Sequence, residues 1–410
     1  MNSIQLAWRN LFRHKGRIIL TLIGLSLSLT LVQTFHNFTK GVYSYMVETG
    51  VRSGTGHIVI CNENYLETKD SNVFFLPGRL VKTINAISGV QSVLPRVKLC
   101  GLAQSSRESR NIRIEGINIA VENKINPFLK GIPKETFEKN WRSGDALVGS
   151  ILINELQIKP GQKFVVTTQN DRGELVSELF RAKASLETGI RAVDSSLIIV
   201  SQKKAAEMLG VPGAAHELAV VLKDACFIET VFPIINDLLK NNTELKAFSW
   251  EKAMPNLYNA IRWDYVSMKF LSLIVLMIVT IGVTNTLLMG VMERIYEFGI
   301  LKAIGTSPKQ LKTMIMAEAL LLGLFSIVIG SALTSLATWY LVHYGFDLRL
   351  FIPANLEFGG VLFSALLYAK WDILWMSRFA FYMLLLCLAA SVYPALKASR
   401  ISPAEALRHI

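Results

Sequence analysis

The sequence of 410 residues is poor in the side chains that carry most chemistry, with four cysteines and six histidines. The histidines (His14, His36, His57, His216, His343 and His409) show no metal-ligand spacing. There is no G-x-S-x-G, H-E-x-x-H or C-x-x-C string, so the elbow nucleophile, the zincin pair and the dithiol couple are excluded. No glycine is followed by lysine anywhere, so there is no Walker A loop and no ATP binding by that route. Charge is sparse as well, at 18% of residues, against 51% hydrophobic residues. The apolar residues fall in blocks rather than at core-forming periods, the pattern of a membrane protein with a soluble insert.

Four blocks qualify as spans: 18–35, 270–292, 314–342 and 379–396. The shortest have 18 residues, about 27 Å at helical rise, just enough for the hydrocarbon core. Phe358 to Ala369 is too short to span and, with Trp371 and Trp375 after it, suits a helix at the interface. Basic residues cluster on one side. Arg9, Arg13, Lys15 and Arg17 precede the first span, Arg294, Lys302, Lys309 and Lys312 lie between the second and third, and Lys397, Arg400 and Arg408 close the chain. The stretch 343–378 has only Arg349, Lys370 and Arg378, matched by Asp347, Glu357 and Asp372. The asymmetry predicts cytoplasmic termini and an external segment 36–269. Topology and anionic lipid account for most of the net charge of +12, so no nucleic-acid role is read from it.

The first span has no small-residue cleavage site after it and is expected to be an uncleaved anchor. Before it, residues 1–17 place Ile4, Trp8, Leu11 and Phe12 on one helical face and Arg9, Arg13 and Arg17 on another, as in an interfacial helix; simple anchoring charges are the alternative. The external segment is predicted to be mixed α/β. Gly56–Cys61, Ile112–Gly116, Lys163–Thr167 and Ser196–Val200 have strand character, and Leu80–Ile87, Val148–Leu156, Lys203–Leu209 and Thr230–Leu239 have helical period. The Pro-, Lys- and Asn-rich stretch 118–145 suggests a subdomain boundary, and residues 250–263 must return the chain to the membrane. Cys61, Cys100 and Cys226 are external. Buried small hydrophobes are the default reading for the cysteines, with a Cys61–Cys100 bridge as the alternative. Glu318, an acid inside a span, is either an ion or proton site or, more simply, a side chain that snorkels to the interface or pairs with Lys309 or Lys312.

The segment 293–313 is the most specific feature. The second span is predicted to continue without a break into a short helix bearing Glu293, Arg294, Glu297, Phe298, Gly299, Ile300, Leu301, Lys302, Ala303 and Ile304. Gly305 suits a left-handed helix end, and Ser307-Pro308-Lys309-Gln310 has the pattern of a capping box. A solvated hairpin tip would explain the charges but not Phe298, Ile300, Leu301 and Ile304, too many apolar groups for so short a helix to bury against its own chain. A docking surface for a soluble partner is the expectation.

The string from Glu293 to Gly305 resembles the signature of FtsX-like ABC transporter permeases, the MacB, LolC/LolE and FtsX superfamily. The tail from Tyr393 to Arg408 is similar to the same family's C-terminal motif, and Gly149-x-x-Leu152-x-x-x-Leu156-x-Ile158-x-x-Gly161 to a recurring family segment. The resemblance covers the whole chain and implies an α-helical membrane protein: four transmembrane helices plus a large α/β extracytoplasmic, MacB-like periplasmic domain, in the bacterial inner membrane. It also implies a non-catalytic permease subunit that pairs with a second permease chain and two copies of a cytoplasmic ABC ATPase, which would bind the ATP and Mg. Glu293, Arg294, Glu297, Phe298, Gly299, Ile300, Lys302, Ala303 and Gly305 would form the ATPase-coupling segment. ATP-driven motion would deliver a mechanical stroke to the external domain, extracting or exporting a lipoprotein or another outer-leaflet or periplasmic substrate. Size and layout sit closest to LolC/LolE. The alternative is an FtsX-like regulator that activates a periplasmic cell-wall hydrolase.

Overall fold

A computed structural model describes residues 15–129, 132, 133, 137, 141–240, 242, 244–348, 357, 358, 361, 362 and 366–402. The interfacial helix expected over the first residues lies largely outside them, as does the end of the tail. Five helices carry the apolar sequence: α1 (Lys15–Ser53), α2 (Pro255–Glu293), α3 (Ile295–Ala303), α4 (Pro308–His343) and α5 (Ile373–Arg400). All but α3 are long and apolar enough to cross a membrane.

The helical unit comprises residues 1–43, 262–348 and 366–410. Its core is built by Leu25, Leu29 and Val32 of α1, Val279, Val283 and Leu287 of α2, Ala319 and Leu322 of α4, and Phe379, Met383 and Cys387 of α5. The opposite helix faces expose Leu20, Ile23, Leu27, Ile278, Ile281, Val328 and Leu336, which is the outward-apolar arrangement lipid requires. α1 and α4 meet along small and polar residues. Thr30 donates to the Gly330 carbonyl at 3.1 Å, and the Asn37 amide donates to Thr338 at 3.1 Å. A Cβ on Gly330 would sit 2.8 Å from a Leu29 methyl, so glycine is what lets these two backbones approach.

α1 continues past the expected end of its span at Phe35, because its polar residues are satisfied within the helical unit. His36 and Lys40 both reach Asp372, at 3.3 and 2.6 Å. Where an interfacial helix was expected over Phe358–Ala369, the described residues form two-residue strands at Glu357–Phe358, Val361–Leu362 and Leu366–Leu367. The run is too short to hold a helix by propensity alone, and Gly359 and Gly360 weaken it further.

The second unit comprises residues 44–261 and 349–365. Its strands are β1 (Ile58–Asn62), β2 (Val90–Gln104), β3 (Ser109–Ile117), β4 (Asp145–Gly149), β5 (Lys163–Gln169), β6 (Leu175–Leu186), β7 (Leu197–Ser201), β8 (Glu217–Leu222) and β9 (Leu245–Ser249). They run β3-β7-β4-β6-β5-β2-β8-β1-β9, and β3 also pairs with β2, so six strands close on themselves. Phe164, Val166, Phe180, Ala182, Ile114 and Ile198 fill this small barrel, with the helix Gln202–Leu209 against it. The remaining sheet, β2-β8-β1-β9, packs Ile58, Ile60, Val220 and Leu222 against the helices Leu80–Asn85 and Ile228–Leu239, a split β-α-β order.

The expected subdomain boundary at 118–145 is therefore displaced. The barrel is an insertion between β2 and β8, and the long strand β2 belongs to both lobes. Its Val90–Arg96 half pairs with β8, and its Val97–Gln104 half pairs with β3. Gly149 ends β4 where a Cβ would lie 2.2 Å from the Asp194 carbonyl, and Leu152, Leu156 and Ile158 of the same segment are buried in the barrel core. Of the external cysteines, Cys61 is buried while Cys100 and Cys226 are exposed, and all are free thiols. The small-hydrophobe reading thus fits Cys61 and fails for the other two.

Arg96 sits, fully buried, where β2 passes from one lobe to the other. Its Nε and Nη2 donate to the Glu122 carboxylate at 2.7 and 2.9 Å. Its Nη1 donates to the carbonyls of Ser53 (3.3 Å) and Gly54, at the C-terminal end of α1. One guanidinium thus closes the end of α1 onto the junction between the lobes.

The neighbouring pair Glu217 and His216 makes the unit acid-sensitive. Burial pushes the Glu217 carboxyl up, but Lys98 at 2.6 Å and Arg96 hold it below the usual carboxylate range. Burial pushes the His216 imidazole down: its Nδ1 accepts the Lys98 backbone N–H at 3.1 Å, so its proton is on Nε2, facing the Ser71 carbonyl at 2.8 Å. Both groups titrate lower folded than unfolded, so their stabilisation is complete above the unfolded values and is lost as pH falls through the folded ones. Denaturant titrations of the full chain should therefore show stability flat above about pH 7 and falling below about pH 6.5. His216→Asn should flatten the upper part of that fall; an unchanged profile would refute the assignment.

Candidate partner-docking segment

α2 ends at Glu293, and Arg294 (φ −107°, ψ 18°) leaves helical geometry before α3 resumes at Ile295. The expected unbroken helix is thus broken at one residue. The cause is visible in what Arg294 does. Its Nε donates to the Gly290 carbonyl at 3.2 Å, and its Nη2 donates to both Glu318 oxygens at 2.9 and 2.8 Å. Glu318 is buried, so its partner is Arg294 rather than Lys309 or Lys312, and it does not snorkel.

At the other end of α3, Gly305 adopts φ +102°. Its N–H donates to the Lys302 carbonyl at 3.1 Å, and the Thr306 N–H donates to the Leu301 carbonyl at 2.9 Å, the two bonds of a Schellman motif. Ser307 and Gln310 then form the reciprocal capping box that starts α4, with Pro308 in its first turn. The turn between α3 and α4 is fixed at both ends.

The sides of α3 differ. Arg294, Phe298 and Lys302, four residues apart, face the helical unit's own chain. Phe298 is 1% exposed, packed with Val291, Leu311, Met314, Ile315, Ala395 and Ala398. Gly299 is buried beside it, and Leu301 packs partly against the same cluster. The Lys302 ammonium donates to the carbonyls of Ser399 (2.9 Å) and Ile401 (2.7 Å), at the C-terminal end of α5. On the other side Tyr296, Ile300 and Ile304 form a second stripe at the same spacing, exposed by 47, 37 and 78%. Ala303 and Gly305 are exposed next to it. Glu297 is half-buried, and Glu293 receives Arg17 at 2.8 Å.

The nine residues expected to couple are therefore divided. Glu293, Ile300, Ala303 and Gly305 are accessible, and Glu297 is half-buried. Arg294, Phe298, Gly299 and Lys302 are held by the chain itself, because α4 and α5 supply the apolar wall and the carbonyls that a short helix lacks alone. Ile304 was singled out from the sequence as an apolar group of the segment, whereas Tyr296, and the alignment of 296, 300 and 304 as one outward stripe, were missed. Their signal was the spacing 296, 300, 304, parallel to 294, 298, 302.

Four long apolar helices around a shared apolar core, together with a large α/β unit, mark a multi-pass membrane protein with an α/β extracytoplasmic domain. Residues 269–403 match the FtsX-like permease C-terminal family. The lipoprotein-releasing system transmembrane protein LolC of Neisseria meningitidis is 20% identical over 94% of this chain and 92% of its own length. An uncharacterised ABC transporter permease of Methanocaldococcus jannaschii is 22% identical over 80% of this chain and 82% of its own. The solved periplasmic region of MacB from Actinobacillus actinomycetemcomitans aligns at 13% identity and a TM-score of 0.33, covering 50% of this chain and 94% of that one. Residues 269–403 thus match an FtsX-like permease C-terminal domain, and the chain as a whole, a multi-pass membrane protein, is similar to ABC transporter permeases of the LolC and MacB type.

Proposed function

We propose that this permease is driven by a separate cytoplasmic ATPase, which binds the ATP and Mg and seats on the Tyr296–Ile300–Ile304 stripe. The observation that carries this is the division of α3: one side is fixed by Arg294, Phe298 and Lys302, while an apolar stripe faces outward on the other. Isolated exposed apolar residues are ordinary, but an aligned stripe on a rigidly capped helix is the form of a helix-in-groove contact. The basic asymmetry of the span ends supports placing this segment and both termini on the cytoplasmic side.

In this reading two permease chains, identical or related, work with two ATPase copies. A push on α3 reaches α4 through Arg294–Glu318 and α5 through Lys302. α1, one continuous helix whose last carbonyls are bound by Arg96, delivers the stroke to the α/β domain. The chain's likeness to LolC supports a lipoprotein or similar outer-leaflet amphiphile as the substrate, extracted rather than passed through a pore.

Reconstitution in lipid tests this. The chain alone should hydrolyse no ATP, and with its ATPase the rate should rise. Ile300→Asp or Ile304→Asp should cut that rise by about tenfold or more without lowering the melting temperature, since a charge enters an apolar contact but not the core. Normal stimulation in both variants would sink the proposal.

A further inference from the structure

We infer that the helical unit carries a binding site for an anionic phospholipid head group, at the end of the unit opposite α3. A cavity of about 490 Å³ opens there between the apolar start of α2 and the first turns of α5. That is enough for a glycerophosphate group and the start of an acyl chain. Leu273, Leu276 and Phe379 give it an apolar floor. One wall is a stack of rings, His36 on Trp375 at 3.7 Å and Trp375 on Phe379 at 5.1 Å.

Two cations, Lys269 and Arg378, line the same cavity, both exposed. The cavity's carboxylate does not serve them: Asp372 is engaged by Lys40 at 2.6 Å and His36 at 3.3 Å, and it accepts the Trp375 backbone N–H at 3.1 Å. Among the described residues neither Lys269 nor Arg378 makes an ion pair.

Two unmatched positive charges therefore border hydrocarbon, where a negative partner is favoured more than in water. A soluble anion would meet the charges and leave the floor wet. A zwitterionic lipid would cover the floor but bring its own cation to the same place. A lipid of net negative charge satisfies both, its phosphate between Lys269 and Arg378 and its first methylenes on Leu273 and Leu276. Trp375, Tyr265 and Tyr382 around the rim are the residues that settle at head-group depth. The inference is independent of the ATPase reading, since it involves no residue of α3.

The test is native mass spectrometry of the full chain equilibrated with phosphatidylglycerol or phosphatidylcholine of the same acyl composition. Wild type should retain phosphatidylglycerol preferentially, and K269Q/R378Q should lower that affinity by about thirtyfold. K269R/R378K should preserve it, and Leu276→Trp should reduce it by filling the floor while leaving both charges. Equal retention of the two lipids by wild type, or undiminished retention by a folded K269Q/R378Q, would overturn the site. If that variant does not fold, salt titration of wild type decides: the preference should collapse at high ionic strength, and a salt-independent preference would contradict it.

Discussion

Glu318→Ala is expected to be among the most damaging single substitutions in the helical unit, lowering its stability by about 3–5 kcal/mol. The change leaves the Arg294 guanidinium buried beside α4 without the carboxylate that receives two of its N–H bonds. It also frees the residue at which the chain turns from α2 into α3, so α3 loses its fixed angle. Replacing both members together, Arg294→Met with Glu318→Met, should cost much less, because no uncompensated charge remains in the bundle. The comparison is made by thermal unfolding in detergent and by ATPase stimulation. A Glu318→Ala protein as stable as wild type would mean the pair is ornamental. Stimulation should stay low even in the double variant if Arg294 positions α3 and does more than hold the fold.

The second large effect is expected at Glu122→Ala, again about 3–5 kcal/mol, this time in the α/β unit. Arg96 is fully buried and its other bonds go to the carbonyls that end α1. Without Glu122 the guanidinium loses both of its close carboxylate bonds and keeps only the weaker attraction of Glu115, 3.8 Å away, and of Glu217, so it is held far less firmly at the junction where β2 changes partners. Limited proteolysis near Gly54 and denaturant titration should both report the loss. Glu122→Gln should be milder, since one acceptor oxygen survives. If Glu122→Ala leaves both readouts unchanged, the force path through Arg96 is wrong.

The span centres were legible because block hydrophobicity is a strong signal, whereas their ends were not. α1 carries His36, Asn37 and Lys40 into the helix, and their partners Asp372, Thr338 and Met376, more than three hundred residues away in sequence, are what satisfy them there. Strand character identified β1, β3, β5 and β7 but not β2, whose Pro95 and Gly101 argue against a long strand until the pairing with β8 and β3 is known. The closure of the barrel through β2 follows from register, which no local pattern carries. In the docking segment the capping box and the glycine stop were readable, since both are local. The direction of each side chain was not, because the wall that buries Phe298 comes from α4 and α5. The consequence for experiment is concrete: Phe298→Asp tests folding, while Ile300 and Ile304 test docking.

The most direct test of the central claim is site-specific photocrosslinking in intact membranes, with the probe at exposed Ala303 beside the outward stripe and a control at Val328, 66% exposed on the apolar flank of α4. The expected result is a strong adduct between Ala303 and a soluble ATPase subunit, with none from Val328. Absence of an adduct at Ala303 in membranes that contain the assembled complex, or an equal adduct from Val328, would contradict the assignment of α3 as the seat of the motor.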